Sequence, residues 1–227
     1  MKRYHLLILV AILTSPFLAQ AQVILGAHGG IHSNKVQIKG ISESWIPENS
    51  YWTGANAGLH LEVPITERLN FRPELNYVEK GFRVKEGFEF DLFNIPVPIG
   101  AEAITRVQYI EVPLQLKYTF ADGPVKPYIF GGPHISYAID GQIDLRANLI
   151  LDFNIASFDI DMTNNLYNQL EVGGLVGAGL NFEAGRSNIF LQGSFQHGFT
   201  DMLNDPIVDI RLRNSGFNLT AGVQIPF

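Results

Sequence analysis

The chain has 227 residues, enough for one β domain, no cysteine and a formal charge of −6. The missing thiols exclude disulfides, zinc–thiolate sites, thiol catalysis and lipid attachment through cysteine. The acidic balance, with no basic patch, argues against a nucleic-acid partner.

The first 21 residues read as a cleavable secretory signal. Lys2 and Arg3 precede an apolar stretch from Leu6 to Leu18, and Ala19-Gln20-Ala21 forms a small-residue cleavage site. The apolar stretch is shorter than the ~20 residues of a comfortable helical span. The expected mature chain, 22–227, is one barrel domain. Losing Lys2 and Arg3 changes its formal charge from −6 to −8. No later apolar run is long enough for a spanning helix, so the hydrophobic content is spread in alternation.

Strand one is expected over 23–33, with Val23, Leu25, Ala27 and Ile31 on one face and Gly26, His28, Gly30 and His32 on the other. A polar stretch, 34–50, follows. Strand two, 51–65, sets Ala55, Ala57, Leu59, Leu61 and Val63 against Asn56, Gly58, His60 and Glu62. After the short turn Thr66-Glu67-Arg68, strand three, 69–84, sets Leu69, Phe71, Leu75 and Tyr77 against Asn70, Arg72, Glu74 and Asn76. A long connection, 85–103, leads to the clearest hairpin in the sequence. Its first arm alternates Ile110, Val112, Leu114, Leu116, Tyr118 and Phe120 with Glu111, Gln115, Lys117 and Thr119. Asp122-Gly123-Pro124 turns the chain, and the second arm puts Ile129, Ile135, Tyr137 and Ile139 opposite Phe130, Gly132, His134 and Ser136. The longest irregular segment, 141–167, precedes strand six, 168–183, in which Glu171 shares the polar face with four small or amide residues. Strand seven is expected over 188–200 and strand eight over 214–227, with the loop 201–213 between them.

Eight strands joined by connections that alternate long and short predict an all-β, antiparallel, up-and-down transmembrane β-barrel. Its short turns would be periplasmic, its long loops extracellular and both termini inside. Aromatics should form two belts. Phe71, Tyr118, Phe120, Phe182, Phe190 and Phe227 fall near the periplasmic rim; Tyr51, Trp52, Tyr77, Phe82, Tyr109, Tyr137, Phe195 and Phe199 fall near the outer one. The polar face collects His28, His60, Glu62, Arg72, Glu74, Glu111, Lys117, His134 and Glu171. In a membrane barrel these point inward and must pair, because unpaired buried charge costs several kcal/mol. An eight-stranded barrel is filled by side chains, so a plugged lumen without an open pore is expected.

Several stretches resemble the PorT-like outer-membrane β-barrel family of Bacteroidota-type bacteria: TGANAGLHLEVPITERLNFRPELNYVEKGF, YIEVPLQLKY, KPYIFGGPHISY and the ending FNLTAGVQIPF. Together they span most of the mature chain; YIEVPLQLKY and KPYIFGGP are the most specific. The resemblance implies an eight-stranded barrel akin to the OmpA/OmpX type, located in the cell outer membrane. It also implies insertion by the barrel-assembly machinery through a terminal strand ending in an aromatic, here Phe227. The family's founding member is linked to type IX secretion and gliding. The segment from Gly141 to Tyr167 lies outside the recognisable core.

The expected function is a non-enzymatic outer-membrane barrel, structural in the envelope or accessory to protein secretion. Its partners would be outer-membrane lipid, the assembly machinery and secretion or envelope proteins reached through Gly141 to Tyr167. One alternative is a rim-active hydrolase built on His32, His197, Asp201 and Ser33, where a carboxylate could poise a base. No GxSxG motif supports it, and ordinary rim polar residues are the plainer reading. The other alternative is a soluble periplasmic barrel for an apolar ligand, which would turn the greasy faces inward. His28, His60 and His134 would bind metal only if their nitrogens converged. Asp144, Asp152, Asp159 and Asp161 lack the spacing of an EF-hand, so a solvated acidic loop is expected. The apolar residues between Leu149 and Ile160 are read chiefly as extensions of strands five and six above the membrane, with a partner surface as the alternative. No cofactor is expected.

Overall fold

The computed structural model describes residues 23–39, 48–92, 95–148, 152–160, 162, 167–202 and 211–227. The expected signal at 1–21, and the apolar Leu149, Ile150 and Leu151, lie outside the described residues.

The described residues form nine strands: β1 (Ile24–Lys39), β2 (Glu48–Pro64), β3 (Leu69–Leu92), β4 (Ile95–Thr119), β5 (Val125–Asn148), β6 (Asp152–Asp159), β7 (Leu170–Ala184), β8 (Ser187–Gly198) and β9 (Arg211–Pro226). Eight of them close into a ring in the order β4-β3-β2-β1-β9-β8-β7-β5, with β5 pairing back to β4. The first and last strands meet antiparallel from Ile24↔Pro226 to Lys39↔Arg211, so both termini sit at one end with the short turns. Gly185 takes φ 69° in the turn from β7 to β8, a conformation that favours glycine. β6 is the exception: it pairs with β5 from Gln142↔Asp159 to Asn148↔Asp152 and stands outside the ring.

Period two decides which side each residue faces. Along β4, Leu114 and Leu116 are exposed outside while Gln115 and Lys117 are buried inside. β5 repeats this, with Ile129 and Ile135 outside and Phe130 and His134 inside. The wall therefore presents aliphatic side chains all round and the charges occupy the centre, the reverse of a water-soluble barrel. An apolar girdle of this extent needs hydrocarbon against it. The soluble alternative required the opposite orientation and fails here.

The long connections are shorter than expected, because pairing continues past the rim. Residues 85–92 and 95–103 form a β3–β4 ladder that runs from Val84↔Ala103 to Leu92↔Ile95. Pro96 and Pro98 fall within this ladder. Among the described residues β4 pairs with β5 only from Gly100↔Asn148 onward, and there both prolines lie where one side of the strand needs no donor. β5 likewise continues to Asn148, whereas β7 starts only at Leu170, so strand six is not extended. The apolar run before it is a separate strand, β6. β3, β4 and β5 have 24, 25 and 24 residues against 12 in β8. At ~3.3 Å per residue these are about 80 Å long, far more than a ~25 Å apolar band requires even when tilted. One side of the barrel thus rises above the outer rim as a four-stranded sheet, β3-β4-β5-β6.

Two of the expected belt aromatics point the other way. Tyr109 and Phe190 are each 1% exposed and lie inside the barrel. Both share parity with inward residues, Glu111 and Gln192, so their aromatic character misled where their register did not.

Candidate functional site in the barrel lumen

Near the periplasmic end, β2, β3 and β4 bring Glu62, Arg72 and Lys117 together, all completely buried. Lys117 Nζ donates to Glu62 Oε1 at 2.6 Å. Arg72 lies 3.7 Å from the same carboxylate and 3.2 Å from Glu74 Oε1. It also donates to the side-chain oxygens of Gln115 and Gln192, at 2.9 Å and 3.0 Å. Gln224 and Asn70 donate to Glu62 at 2.6 Å and 3.1 Å. The guanidinium and ammonium also stand over aromatic rings, Arg72 over Phe130 at 4.7 Å and Lys117 over Tyr128 at 4.3 Å. Those rings fit because β7 is nearly bare opposite them: a Cβ on Gly177 would fall 2.4 Å from Phe130, and one on Gly179 2.5 Å from Tyr128.

Toward the outer end a second layer forms around Lys80. Its ammonium sits 2.9 Å from Glu111 and 2.6 Å from Glu171. Ser136 donates to Glu111 at 2.7 Å, Gln196 donates to it at 2.5 Å, and His134 Nδ1 lies 3.4 Å away. Asn214 donates to Glu171 and pairs with Asn34 at 2.8 Å. Above this layer Val107, Tyr109 and Ala138 form a buried apolar cluster on which Ile160, Met162 and Tyr167 pack. The Tyr109 and Tyr167 hydroxyls meet at 2.5 Å. Burial at this outer mouth pushes the Tyr167 hydroxyl up to about 12, so it stays a neutral hydrogen-bonding group.

Between the layers lies a cavity of about 30 Å³, bordered by His28, Asn56, Glu74, Asn76, Thr220 and Gln192 among others. It has room for a water or two, not for a conducting file.

All nine residues singled out by parity, namely His28, His60, Glu62, Arg72, Glu74, Glu111, Lys117, His134 and Glu171, line the lumen. Glu62, Arg72, Glu74 and Lys117 fall in one layer and Glu111, His134 and Glu171 in the other, with His28 and His60 toward the gap between them. Lys80 was missed, although it continues the inward series Arg72, Glu74, Asn76 and Val78; the apolar Val78 interrupts the polar pattern just before it.

The rim residues considered for catalysis are not assembled. His32 is buried inside, with Nδ1 2.6 Å from Asn218 Oδ1. Ser33 Oγ accepts from Thr53 at 3.1 Å. His197 shares the outer face of β8 with Leu191 and Phe195. Asp201 is paired with Arg213 at 2.7 Å. The acidic residues considered for calcium are also dispersed: Asp144 pairs with Arg106 and Ser157, and Asp159 is exposed. The side chain of Asp152, and Asp161, lie outside the described residues.

A family model described as outer membrane protein beta-barrel domain matches residues 18–204. No curated protein matches the chain. Among solved structures it is similar to Neisserial surface protein A, at 15% identity over 90% of this chain and 97% of that one, with a TM-score of 0.42. OprG from Pseudomonas aeruginosa matches at 10% identity over 91% and 97%, with a TM-score of 0.42. The outer membrane enzyme PagL matches at 14% identity over 90% and 99%, with a TM-score of 0.35. At these identities and scores, nothing about the chain's activity follows from the likeness.

Proposed function

The chain belongs to the outer membrane protein beta-barrel domain family and resides in the outer membrane, and from that premise we propose that it is a sealed, non-enzymatic barrel that anchors a raised contact surface in the envelope. The observation that carries this reading is the double closure of the lumen. Two layers of buried ion pairs, around Glu62 and around Lys80, lie beneath the apolar cap of Tyr109, Ile160, Met162 and Tyr167. A barrel closed in this way does not serve as a diffusion pore.

The surface on offer is the sheet of β3, β4, β5 and β6, where Leu145, Ile155 and Phe158 are exposed. Exposed apolar groups above the membrane suit a protein partner of the envelope. A role in envelope structure or as an accessory to secretion, of the type IX kind that the PorT-like resemblance implies, belongs to this proposal. So does delivery by the barrel-assembly machinery through the terminal Phe227.

The test is electrical. The refolded chain in a planar bilayer should show no stable single-channel conductance under applied voltage. Steady open currents would overturn the sealed-barrel reading.

A further inference from the structure

We propose that His28, His60 and Glu74 form a binding site inside the barrel for one divalent first-row transition ion of the zinc class. The three side chains point inward from three adjacent strands. His60 is opposite Gly26 on β1 and opposite Glu74 on β3, and His28 is two residues along from Gly26. One ligand atom from each residue lies within 4.8 Å of the other two. Two imidazole nitrogens and one carboxylate oxygen suit zinc and its neighbours, whose bonds of ~2.0–2.2 Å would draw the ligands closer by about an ångström.

Unpartnered buried atoms give independent support. His60 is 2% exposed. The Nδ1 atoms of His28 and His60 are buried without a hydrogen-bond partner, and Glu74 Oε1 has only the ion pair to Arg72. Beside them is the lumen cavity of about 30 Å³, which His28 and Glu74 both line. Asn56 Oδ1, Asn76 Oδ1 and Thr220 Oγ1, on residues lining the same cavity, also lack partners. These oxygens are acceptors, the groups that a metal-bound water would donate to.

Three features decide whether the neighbourhood tolerates an ion. Arg72 retains Glu62, Gln115 and Gln192 when its 3.2 Å contact with Glu74 loosens. Gln224 Nε2 lies 2.9 Å from His60 Nε2, and Gln224 Oε1 has no partner. Turning that amide lets Oε1 accept the ring proton and leaves Nδ1 free to coordinate. It requires the side chain to swing off Glu62 Oε1, 2.6 Å from the present Nε2, because two acceptor oxygens cannot share that contact. Glu62 then keeps Lys117 and Asn70. Across the two layers, Glu62, Glu74, Glu111 and Glu171 face Arg72, Lys80 and Lys117, a net of 3 − 4 = −1; a divalent ion makes it −1 + 2 = +1, an imbalance of the same size. The other converging cluster, Glu111, His134 and Glu171, is different because the Lys80 ammonium already bridges its carboxylates.

The experiment uses the untagged full-length chain, refolded in detergent and dialysed against zinc or cobalt. Folding is checked by heat-modifiable migration, and bound metal is measured by mass spectrometry and by the visible spectrum of cobalt. We expect about one ion per chain and at least roughly tenfold weaker binding in His28→Gln, His60→Gln and Glu74→Gln. The exterior control His197→Gln should bind as wild type does. If His60→Gln fails to fold, the other two variants decide. Folded wild type holding less than about a tenth of an ion per chain overturns the site. So does unchanged binding in folded His28→Gln and Glu74→Gln.

Discussion

Replacing Lys80 with Met tests whether the outer ion layer stabilises the barrel as its geometry requires. Lys80 is 2% exposed and lies within 2.9 Å of Glu111 and 2.6 Å of Glu171. Methionine fills much the same space but leaves two buried carboxylates facing each other without their shared cation. Breaking a buried pair by removing one partner costs about 3–5 kcal/mol, because the remaining charge is still desolvated. That is roughly two to three and a half powers of ten in the folded ratio. The loss should be read from urea unfolding of barrel refolded into lipid vesicles, with heat-modifiable migration reporting closure. Adding Glu171→Gln should recover part of it, since Glu111 keeps Ser136 and Gln196 as donors. The rim pair Lys126–Glu183, at 2.6 Å but well exposed, is the internal standard; Lys126→Met should cost no more than about 1 kcal/mol. A Lys80→Met barrel as stable as the Lys126→Met one would show that the lumen is hydrated enough to make pairing irrelevant.

The remaining predictions concern the wall, the packing and the terminus. Leu114, midway along the exposed face of β4, should tolerate isoleucine, but Leu114→Arg should cost ~2–4 kcal/mol in vesicle unfolding, as a cation does at the bilayer midplane; no measurable cost would put that face out of hydrocarbon. Gly177→Ala would set a Cβ 2.4 Å from Phe130 and 2.5 Å from the Gly193 carbonyl. It should destabilise by ~1–3 kcal/mol, as overpacking does, and Phe130→Leu in the same chain should relieve only the part that falls on the ring, since the Gly193 carbonyl stays. Phe227 is 76% exposed and packs little, so Phe227→Ala should leave urea stability nearly unchanged. It should nonetheless slow insertion into proteoliposomes carrying the assembly machinery, and equal insertion rates would remove its role as the assembly signal.

Strand parity made the wall and the identity of the lumen residues legible, because a two-residue period ties every side chain to one face. Parity also carried the information about Lys80, Tyr109 and Phe190. There, residue character was weighed more heavily than position: Val78 appeared to end the polar series, and two rings on polar faces looked like belt residues. In a barrel of this width rings belong inside wherever a glycine faces them, as Phe130 and Tyr128 face Gly177 and Gly179 across the β5–β7 ladder.

Height along the barrel was not legible. Which inward residues meet depends on the stagger accumulated around the ring, and no single strand encodes it. Lys117 reaches Glu62 on a strand not adjacent to its own, and Lys80 reaches Glu171 across the lumen from β3 to β7. One list of polar residues therefore becomes two layers, with the histidines His28 and His60 left toward the gap between them. The raised sheet escaped for a related reason. Its two prolines break a strand only where both sides must be paired, and that condition depends on where β5 ends rather than on anything local to β4.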